Sequence, residues 1–219
     1  GFNREEDCII EVGAVVWDTE HNKPVAMMNH LIKRSNIKLE SAIVDLTGIT
    51  DSDLENFGIE EKIACIEFMK LTSKCSYVVA HNGNKFDKEF LDRALKANKM
   101  KLDLPWIDTM YDVPYKPNIK TRNLTYLAAE HSYVNPFSHR ALFDVLTMLK
   151  VCSEYDWNKI VELSKSPMVT IIANVSYEEN NKAKQAGFRW NSKDKRWQNE
   201  IKQCQLEHSN FDFCYDIST

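Results

Sequence analysis

The sequence lacks the cysteine pairs that mark zinc-binding and disulfide-bonded proteins. Its six cysteines are scattered over 219 residues, and no two of them form a Cys-x-x-Cys pair. This scattering argues against a zinc site, which needs clustered ligands. Because unpaired thiols persist in reducing compartments, we expect a cytoplasmic protein.

The chain also lacks a basic excess, a long apolar run and a cationic leader. Its formal net charge is −4, so a surface that attracts nucleic acid must be local or must use a bound cation. No apolar segment approaches the roughly 18 residues that cross a bilayer, and no cationic leader precedes an apolar segment. We therefore expect a soluble protein with no membrane partner.

The hydrophobic pattern that is present predicts an α/β domain. Apolar, β-branched runs at residues 8–17 and 25–32 predict a hairpin, and shorter runs predict strands at 77–80 and 106–110. Helical spacing of apolar residues is found at residues 59–71, 88–97, 124–130 and 137–150. Strands followed by alternating helices and strands are typical of a sheet with helices packed on it.

A second, smaller α+β domain is predicted after this one. Serine and proline interrupt the helical pattern at residues 164–167, so we expect domains at residues 1–165 and 168–219. The pattern then restarts in the order β-α-β-β-α-β, which is compatible with a ferredoxin-like module. Its predicted elements span residues 169–175, 177–186, 188–201, 202–208 and 211–217.

Two stretches of the first domain carry candidate catalytic residues. In V-V-A-H-N-G-N-K-F-D, a buried strand runs into a loop that ends at Asp87. A carboxylate after a sheet strand is well placed for a ligand, although Asp87 could equally be a helix N-cap.

The second stretch is F-S-H-R-A-L-F-D-V-L-T-M-L-K. Pro136 and Ser138 predict the helix start, His139 falls in the first turn or the loop before it, and Asp144 lies opposite the leucines. A histidine beside a carboxylate-bound metal can accept a proton from water. Carboxylates are natural ligands for Mg²⁺ and Mn²⁺. The alternative is a solvated aspartate with a capping histidine.

A third stretch, G-F-R-W-N-S-K-D-K-R-W-Q-N-E-I, lies in the smaller domain. Aromatic residues interleaved with cations suit stacking on bases and pairing with phosphates. The simpler interpretation is that Trp190 and Trp197 form the core of a small domain, and we favour it for the two tryptophans. For the basic residues we favour contact with nucleic acid: Arg189, Lys193, Lys195 and Arg196.

Taken together, these motifs resemble those of a known family. A-H-N-G-N-K-F-D followed by H-R-A-L-F-D resembles motifs two and three of the DEDDh 3′→5′ exonucleases. I-I-E-V-G-A is similar to the second strand of that fold, L-T-G-I-T to its helix-loop segment, and W-I-D-T-M to exodeoxyribonuclease X. The resemblance covers roughly residues 1–155. The last part of the chain resembles a small module of mobile-element and phage proteins with a G-x-x-W-x-x-x-x-K-x-W core.

The resemblance implies a fold, an activity and a set of site residues. The fold would be a ribonuclease H-like mixed sheet with flanking helices, and the activity removal of nucleotides from the 3′ end of DNA. It implies His139 as general base, Asp87 and Asp144 as ligands of two divalent ions, Mg²⁺ or Mn²⁺, and substrate contacts from His81 and Asn82.

The resemblance also implies specific partners. These are single-stranded DNA or the 3′ ends of duplexes, together with replication or repair proteins. An RNA exonuclease is the nearest rival, since nothing in the sequence reports on recognition of a 2′-hydroxyl.

The sequence departs from the family at its first motif, Asp-x-Glu on the first strand. Asp18-Thr19-Glu20 matches as text but follows I-I-E-V-G-A instead of preceding it, so we predict a hairpin turn there. Gly1 stands where the family has the glycine after that motif. We therefore expect the first strand to be missing and this chain not to cleave DNA as it stands. A catalytically inactive nucleic-acid-binding protein is the alternative from another class.

Overall fold

A computed structural model of the chain describes residues 7–34, 37–116, 119–207 and 209–218. The chain divides into two compact units, residues 1–160 and 161–219. The division falls inside helix α7, Trp157–Lys165, a few residues before the predicted boundary. The prediction about Gly1 lies outside the described residues.

The strands of the first unit form two pairs. Strands β1, Glu11–Asp18, and β2, Lys23–Leu31, are an antiparallel hairpin, and β3, Val78–Ala80, pairs in parallel with β4, Trp106–Asp108. Antiparallel and parallel pairing therefore both occur, as the predicted mixed sheet requires. Within the described residues the two pairs are separate two-stranded sheets.

Six helices of the first unit accompany these strands. None of the helices found in the described residues is both long and apolar enough to cross a bilayer. The helices are α1, Ser41–Thr47; α2, Asp51–Phe57; α3, Glu61–Thr72; α4, Asp87–Ala97; α5, Leu124–Glu130; and α6, Ala141–Cys152.

Helices α1 and α2 were not predicted from apolar spacing, because they are short and each buries little. Their ends nevertheless carry local signals. Helix α1 stops at Gly48, which has the left-handed φ of 69°. At the start of α2, the Thr50 hydroxyl accepts from the Asp53 N–H while the Asp53 side chain accepts from the Thr50 N–H. This reciprocal capping box satisfies two backbone donors that the first turn leaves open.

The start of helix α6 lies directly against strand β1. A side-chain Cβ at Gly13 would lie 2.4 Å from the backbone nitrogen of Leu142, so only glycine permits this approach. Further along, α6 buries Met148, Leu149 and Val151. The close contact at one end and the apolar packing along the helix fix where the first turn of α6 lies.

The second unit has the predicted β-α-β-β-α-β order. Its four strands are all antiparallel, in the spatial order β6-β7-β5-β8, which is the ferredoxin-like topology. One face of the sheet packs around Ile171, Ala183, Phe188 and Leu206. The elements are β5, Met168–Asn174; α8, Asn180–Gln185; β6, Arg189–Asn191; β7, Arg196–Lys202; α9, Gln203–Leu206; and β8, Cys214–Ser218.

Candidate active site

The first motif aspartate, Asp87, is the first residue of helix α4. Phe86 occupies the N-cap position and makes no side-chain cap hydrogen bond. The alternative that Asp87 is the N-cap is therefore wrong. The carboxyl of Asp87 therefore does not cap the helix.

The loop that leads to Asp87 is held by a carboxylate on the neighbouring strand. Asp108 ends β4 and is only 1% exposed. Its Oδ1 accepts from the backbone N–H of Asn82 at 2.8 Å and of Met110 at 3.1 Å, and its Oδ2 accepts from the N–H of Asn84 at 3.2 Å. A buried carboxylate needs such donors. The same bonds stabilise Asn82 at a left-handed φ of 62°.

His81, predicted to contact substrate, is held inside the protein by both ring nitrogens. Its Nε2 lies 2.7 Å from the carbonyl oxygen of Arg122, and its Nδ1 lies 2.9 Å from Thr109 Oγ1. Because a carbonyl only accepts, Nε2 carries the hydrogen and Nδ1 accepts from the threonine hydroxyl. Burial lowers the pKa of His81, which favours this neutral form. The arrangement favours a role in holding the loop, and direct substrate contact by the ring stays a prediction.

Asp87 is exposed at the surface. Partial removal of its carboxyl from water raises its pKa to about 6, and the negative charge of Asp108 acts in the same direction. An exposed carboxyl of this kind is accessible to a ligand that brings positive charge.

The second motif aspartate, Asp144, lies in the first turn of α6 and is half-buried. Asn135 Nδ2 donates to its Oδ1 at 2.8 Å, and the backbone N–H of His139 donates to its Oδ2 at 3.1 Å. Burial raises the pKa of Asp144, while nearby His139 and these hydrogen bonds oppose that shift. The carboxylate is therefore oriented by a donor on each oxygen.

His139 lies in the loop before α6 and is exposed. Its φ is 67°, a left-handed conformation that an α-helix does not continue. The helix therefore begins at Ala141 with Arg140 as N-cap, and the start predicted at Pro136 and Ser138 is wrong. His139 contacts Asp144 through its backbone, which leaves the exposed ring outside that hydrogen bond.

The loop before α6 is also held by a strand carboxylate, one that the sequence motifs did not identify as part of the site. Glu11 on β1 has a side chain only 5% exposed and forms an ion pair with Arg140 at 2.9 Å. Its Oε2 accepts from the backbone N–H of Ala141 at 2.8 Å. Glu11 thus fixes the first helical residue after His139. Its only signal in the sequence was its place in I-I-E-V-G-A.

The divalent ions that the family implies would need a group of ligands close together in the protein. No cluster of three or more histidine, cysteine, aspartate or glutamate side chains in the described ranges could hold a metal ion. Asp18 Oδ1 accepts from the N–H groups of Glu20 and His21 at 3.0 and 3.1 Å, which confirms the predicted turn at Asp18-Thr19-Glu20. In the described part of the chain, the donor set does not fit two ions.

The basic residues of the smaller unit lie on the hairpin of β6 and β7. Lys193 and Lys195 in the turn and Arg189 on β6 are exposed, and Arg196 forms an ion pair with Asp194 at 3.5 Å. Their predicted contact with nucleic acid is compatible with this exposure and stays a prediction.

Comparison with known families covers most of the chain. Residues 1–152 match the RNase T family, described as Exonuclease, and residues 169–214 match a domain of unknown function. No curated protein sequence matches the chain.

Solved structures of several exonucleases share the fold. Exonuclease I of E. coli with a dA16 oligonucleotide has a TM-score of 0.63 at 14% identity, covering 80% of this chain and 46% of that one. The nuclease domain of 3′hExo, a DEDDh family member bound to rAMP, has a TM-score of 0.55 at 20% identity, covering 67% and 80%. Exonuclease X with 5′ overhanging duplex DNA has a TM-score of 0.52 at 20% identity, covering 67% and 81%. The chain thus spans less than half the length of the exonuclease I structure.

Proposed function

Since this chain belongs to the exonuclease family, in its DEDDh group, we propose that it removes nucleotides from the 3′ end of DNA. The observation that carries the proposal is the arrangement at the start of α6. There Asp144 is oriented by Asn135 and by the backbone of His139, and the His139 side chain is exposed beside it.

His139 is the proposed general base. A neutral imidazole can accept the proton of an attacking water as the phosphodiester bond is hydrolysed. The left-handed backbone places its N–H, not its ring, on Asp144. The ring is thereby available for the reaction while the backbone keeps the aspartate oriented.

Asp87 and Asp144 are the carboxylates that we propose as ligands of two divalent ions, Mg²⁺ or Mn²⁺, which would need further oxygen ligands such as waters and substrate phosphates. Exonucleases of this group generally use divalent metal ions. Both aspartates lie in the first turn of a helix, and the starts of both helices are fixed by carboxylates on strands, Asp108 and Glu11. Because the described donor set does not fit two ions, we assign no step to them.

DNA is the proposed substrate, with RNA as the rival. DNA is supported by the likeness of W-I-D-T-M to exodeoxyribonuclease X and by the fold shared with exonuclease X crystallised on duplex DNA. RNA is supported by the similar fold of 3′hExo bound to rAMP. His81 and Asn82 are proposed to form the wall of the substrate site, with His81 acting mainly through the loop it holds.

The basic hairpin is proposed to help hold the substrate and to take no part in cutting it. Arg189, Lys193, Lys195 and Arg196 would pair with phosphates. Changing Lys193 and Lys195 to glutamate should weaken binding and flatten its salt dependence, because fewer counterions are released. Binding isotherms at several salt concentrations measure both effects, and an unchanged slope would assign the hairpin another task.

A catalytically inactive nucleic-acid-binding protein is the second candidate. The observation in its favour is that the described residues contain no cluster of three or more potential metal ligands. This candidate predicts binding of oligonucleotides without digestion in Mg²⁺ and in Mn²⁺.

Matched 5′-labelled DNA and RNA oligonucleotides test both candidates. The chain is incubated with each in Mg²⁺, in Mn²⁺ and in chelator, and products are resolved by length. A ladder that shortens from the 3′ end on DNA supports the proposal and shows that the expectation of a chain that does not cleave DNA is wrong. A ladder on RNA alone supports the rival. Intact oligonucleotides that are nevertheless bound support the inactive protein. His139→Ala is the control that should remove the ladder.

A further inference from the structure

The two tryptophans of the basic hairpin, assigned together to the core by sequence pattern, have different environments. Trp197 is partly buried and packs against the core that includes Ile171 and Phe188. Trp190, directly opposite it on β6, is 51% exposed. A large aromatic side chain that a small domain leaves half in water is available for contact with another molecule.

Trp190 is held in place instead of projecting freely. Its ring meets that of Trp197 in an edge-to-face arrangement, with centroids 5.7 Å apart. Trp197 is fixed in turn, since its Nε1 donates to Asn180 Oδ1 at 2.7 Å. An exposed aromatic ring supported by a second, hydrogen-bonded one loses little conformational entropy when a ligand covers it.

The hairpin edge of the small unit is rich in basic side chains. Residues 189–196, from β6 through the turn to the start of β7, carry four lysine or arginine side chains and one aspartate. The order β6-β7-β5-β8 places the hairpin at one edge and β8, which contains Asp216, at the other. Trp190 therefore lies at the basic edge, where an anionic chain would approach.

We propose that Trp190 stacks on an unpaired base of a single-stranded nucleic acid. Arg189, Lys193 and Lys195 would contact the phosphates on either side. Bases inside a duplex are covered by their neighbours, so an aromatic ring at a sheet edge can stack only on a base that is unstacked. The site takes single strands without reading their sequence, since every base offers a π-face. The inference deepens the proposed function and rests on its statement that the hairpin holds the substrate.

The test compares variants of the full chain in chelator, so that no oligonucleotide is digested. Affinity is measured by fluorescence anisotropy for a labelled oligothymidine, an abasic strand of equal length and a blunt duplex. Trp190→Ala should weaken oligothymidine binding about 5- to 150-fold, as expected for a lost base stack. The abasic strand, the duplex and the salt slope should change little. Trp190→Phe should recover most of the affinity.

Ile217→Ala is the matched control. Ile217 is also 51% exposed but lies on β8, at the opposite edge of the sheet, so its truncation should leave all three affinities unchanged. A second readout follows the intrinsic fluorescence of Trp190. Oligothymidine should quench the wild-type emission, and the quenching that depends on Trp190 should be absent in Trp190→Phe.

Specific results would overturn the inference. Equal weakening for oligothymidine and the abasic strand would mean that Trp190 only supports the hairpin. Equal weakening for the duplex would mean that the edge binds paired DNA. No change in affinity or quenching would exclude the surface altogether. Digestion in Mg²⁺ or Mn²⁺ is scored separately, so a failed stacking result with an intact 3′ ladder leaves the proposed exonuclease standing.

Discussion

The two motif aspartates both lie in the first turn of a helix, but their carboxyls have different hydrogen-bond partners. At the start of each helix, a buried strand carboxylate accepts backbone N–H groups: Asp108 accepts from Asn82 and Asn84 in the loop before Asp87, and Glu11 accepts from Ala141, the first residue of α6. Asp144 then accepts a hydrogen bond on each oxygen. In the described part of the chain, the carboxyl of Asp87 accepts a hydrogen bond from its own backbone N–H and from no other group.

This difference indicates that the two aspartates have different roles in the site. Asp144 is oriented before any ligand arrives, whereas Asp87 has a carboxyl whose pKa is raised to about 6 and which a cation would stabilise. Orientation in advance reduces the entropy that binding must overcome. We therefore expect changes around Asp144 to affect rate, and changes around Asp87 to affect the integrity of the loop.

The largest effect is expected from His139→Ala. The rate constant for hydrolysis should fall about 10²–10⁴-fold, the usual contribution of a general base. Binding should be retained, because the contact with Asp144 is made by the backbone N–H that alanine keeps. Single-turnover digestion measures the rate and anisotropy measures binding. His139→Asn, which tolerates the left-handed backbone better, separates lost chemistry from backbone strain. An unchanged rate in both variants between pH 6 and 9 would falsify the role.

Asp108→Ala should break the loop that leads to Asp87. Its removal leaves the backbone N–H groups of Asn82, Asn84 and Met110 without their acceptor. We expect the free energy of unfolding to fall by about 1–3 kcal/mol for each donor that water cannot reach. Urea denaturation followed by circular dichroism measures it. Asp103→Ala, at an exposed position, is the control that should change stability little. If both variants unfold at the same urea concentration, Asp108 does not hold the loop.

Glu11→Gln tests the corresponding support of α6. Glutamine keeps the shape but loses the charge that pairs with Arg140 at 2.9 Å. The unfolding free energy should fall by about 1.5–3 kcal/mol, as for a hydrogen bond to a charged group. The hydrolysis rate constant should fall while KM is unchanged, because only the orientation of the loop is altered. A change in KM alone would contradict this positioning role. Arg140→Lys should lose the bidentate contact and give a partial effect.

The smallest effect concerns α2, whose start is capped locally. Thr50→Ala should lower the unfolding free energy by about 1 kcal/mol, the usual cost of a lost N-cap. Hydrogen bonds from the Thr50 side chain and backbone hold the pKa of Asp53 below its ordinary value. The stability that the box supplies is therefore present above the ordinary carboxyl pKa and is lost as pH falls through the lowered one. The difference between wild type and variant should become smaller at acidic pH without vanishing, because the Thr50 hydroxyl still accepts from the Asp53 backbone N–H. A constant difference from pH 7 to pH 2 would show that the Asp53 carboxylate takes no part.

Sequence reasoning predicted the elements whose signals are local. The hairpin of β1 and β2, helix α5 and the β-α-β-β-α-β order of the small unit follow from periodicity and turn residues, and they are confirmed. Local signals also predicted the turn that begins at Asp18, and it is confirmed. Periodicity failed at α1 and α2, which are too short and too exposed to show an apolar face.

The parts of the site that the sequence did not predict depend on distant partners. Glu11 contacts a residue 129 positions away, and Asp108 contacts the N–H of a residue 26 positions away. No spacing rule connects such pairs. The start of α6 was predicted too early, at Pro136 and Ser138, because apolar spacing and helix propensity carry no sign of the left-handed φ of His139. Trp190 and Trp197 look alike in sequence and lie opposite each other, and only the positions of their strands separate them, β6 at the sheet edge and β7 inside the sheet.

The contact between Glu11 and Arg140 also sets the order of events during synthesis. The two residues are 129 positions apart, so at about 5–20 residues per second a ribosome needs roughly 6 to 26 seconds to make the second after the first. During that interval strand β1 is already made, but the residues of α6 that pack against Gly13 and bind Glu11 do not yet exist. A nascent chain halted before α6 would therefore expose this strand to chaperones and to other chains, and the candidate site can assemble only among the last steps in folding of the first unit.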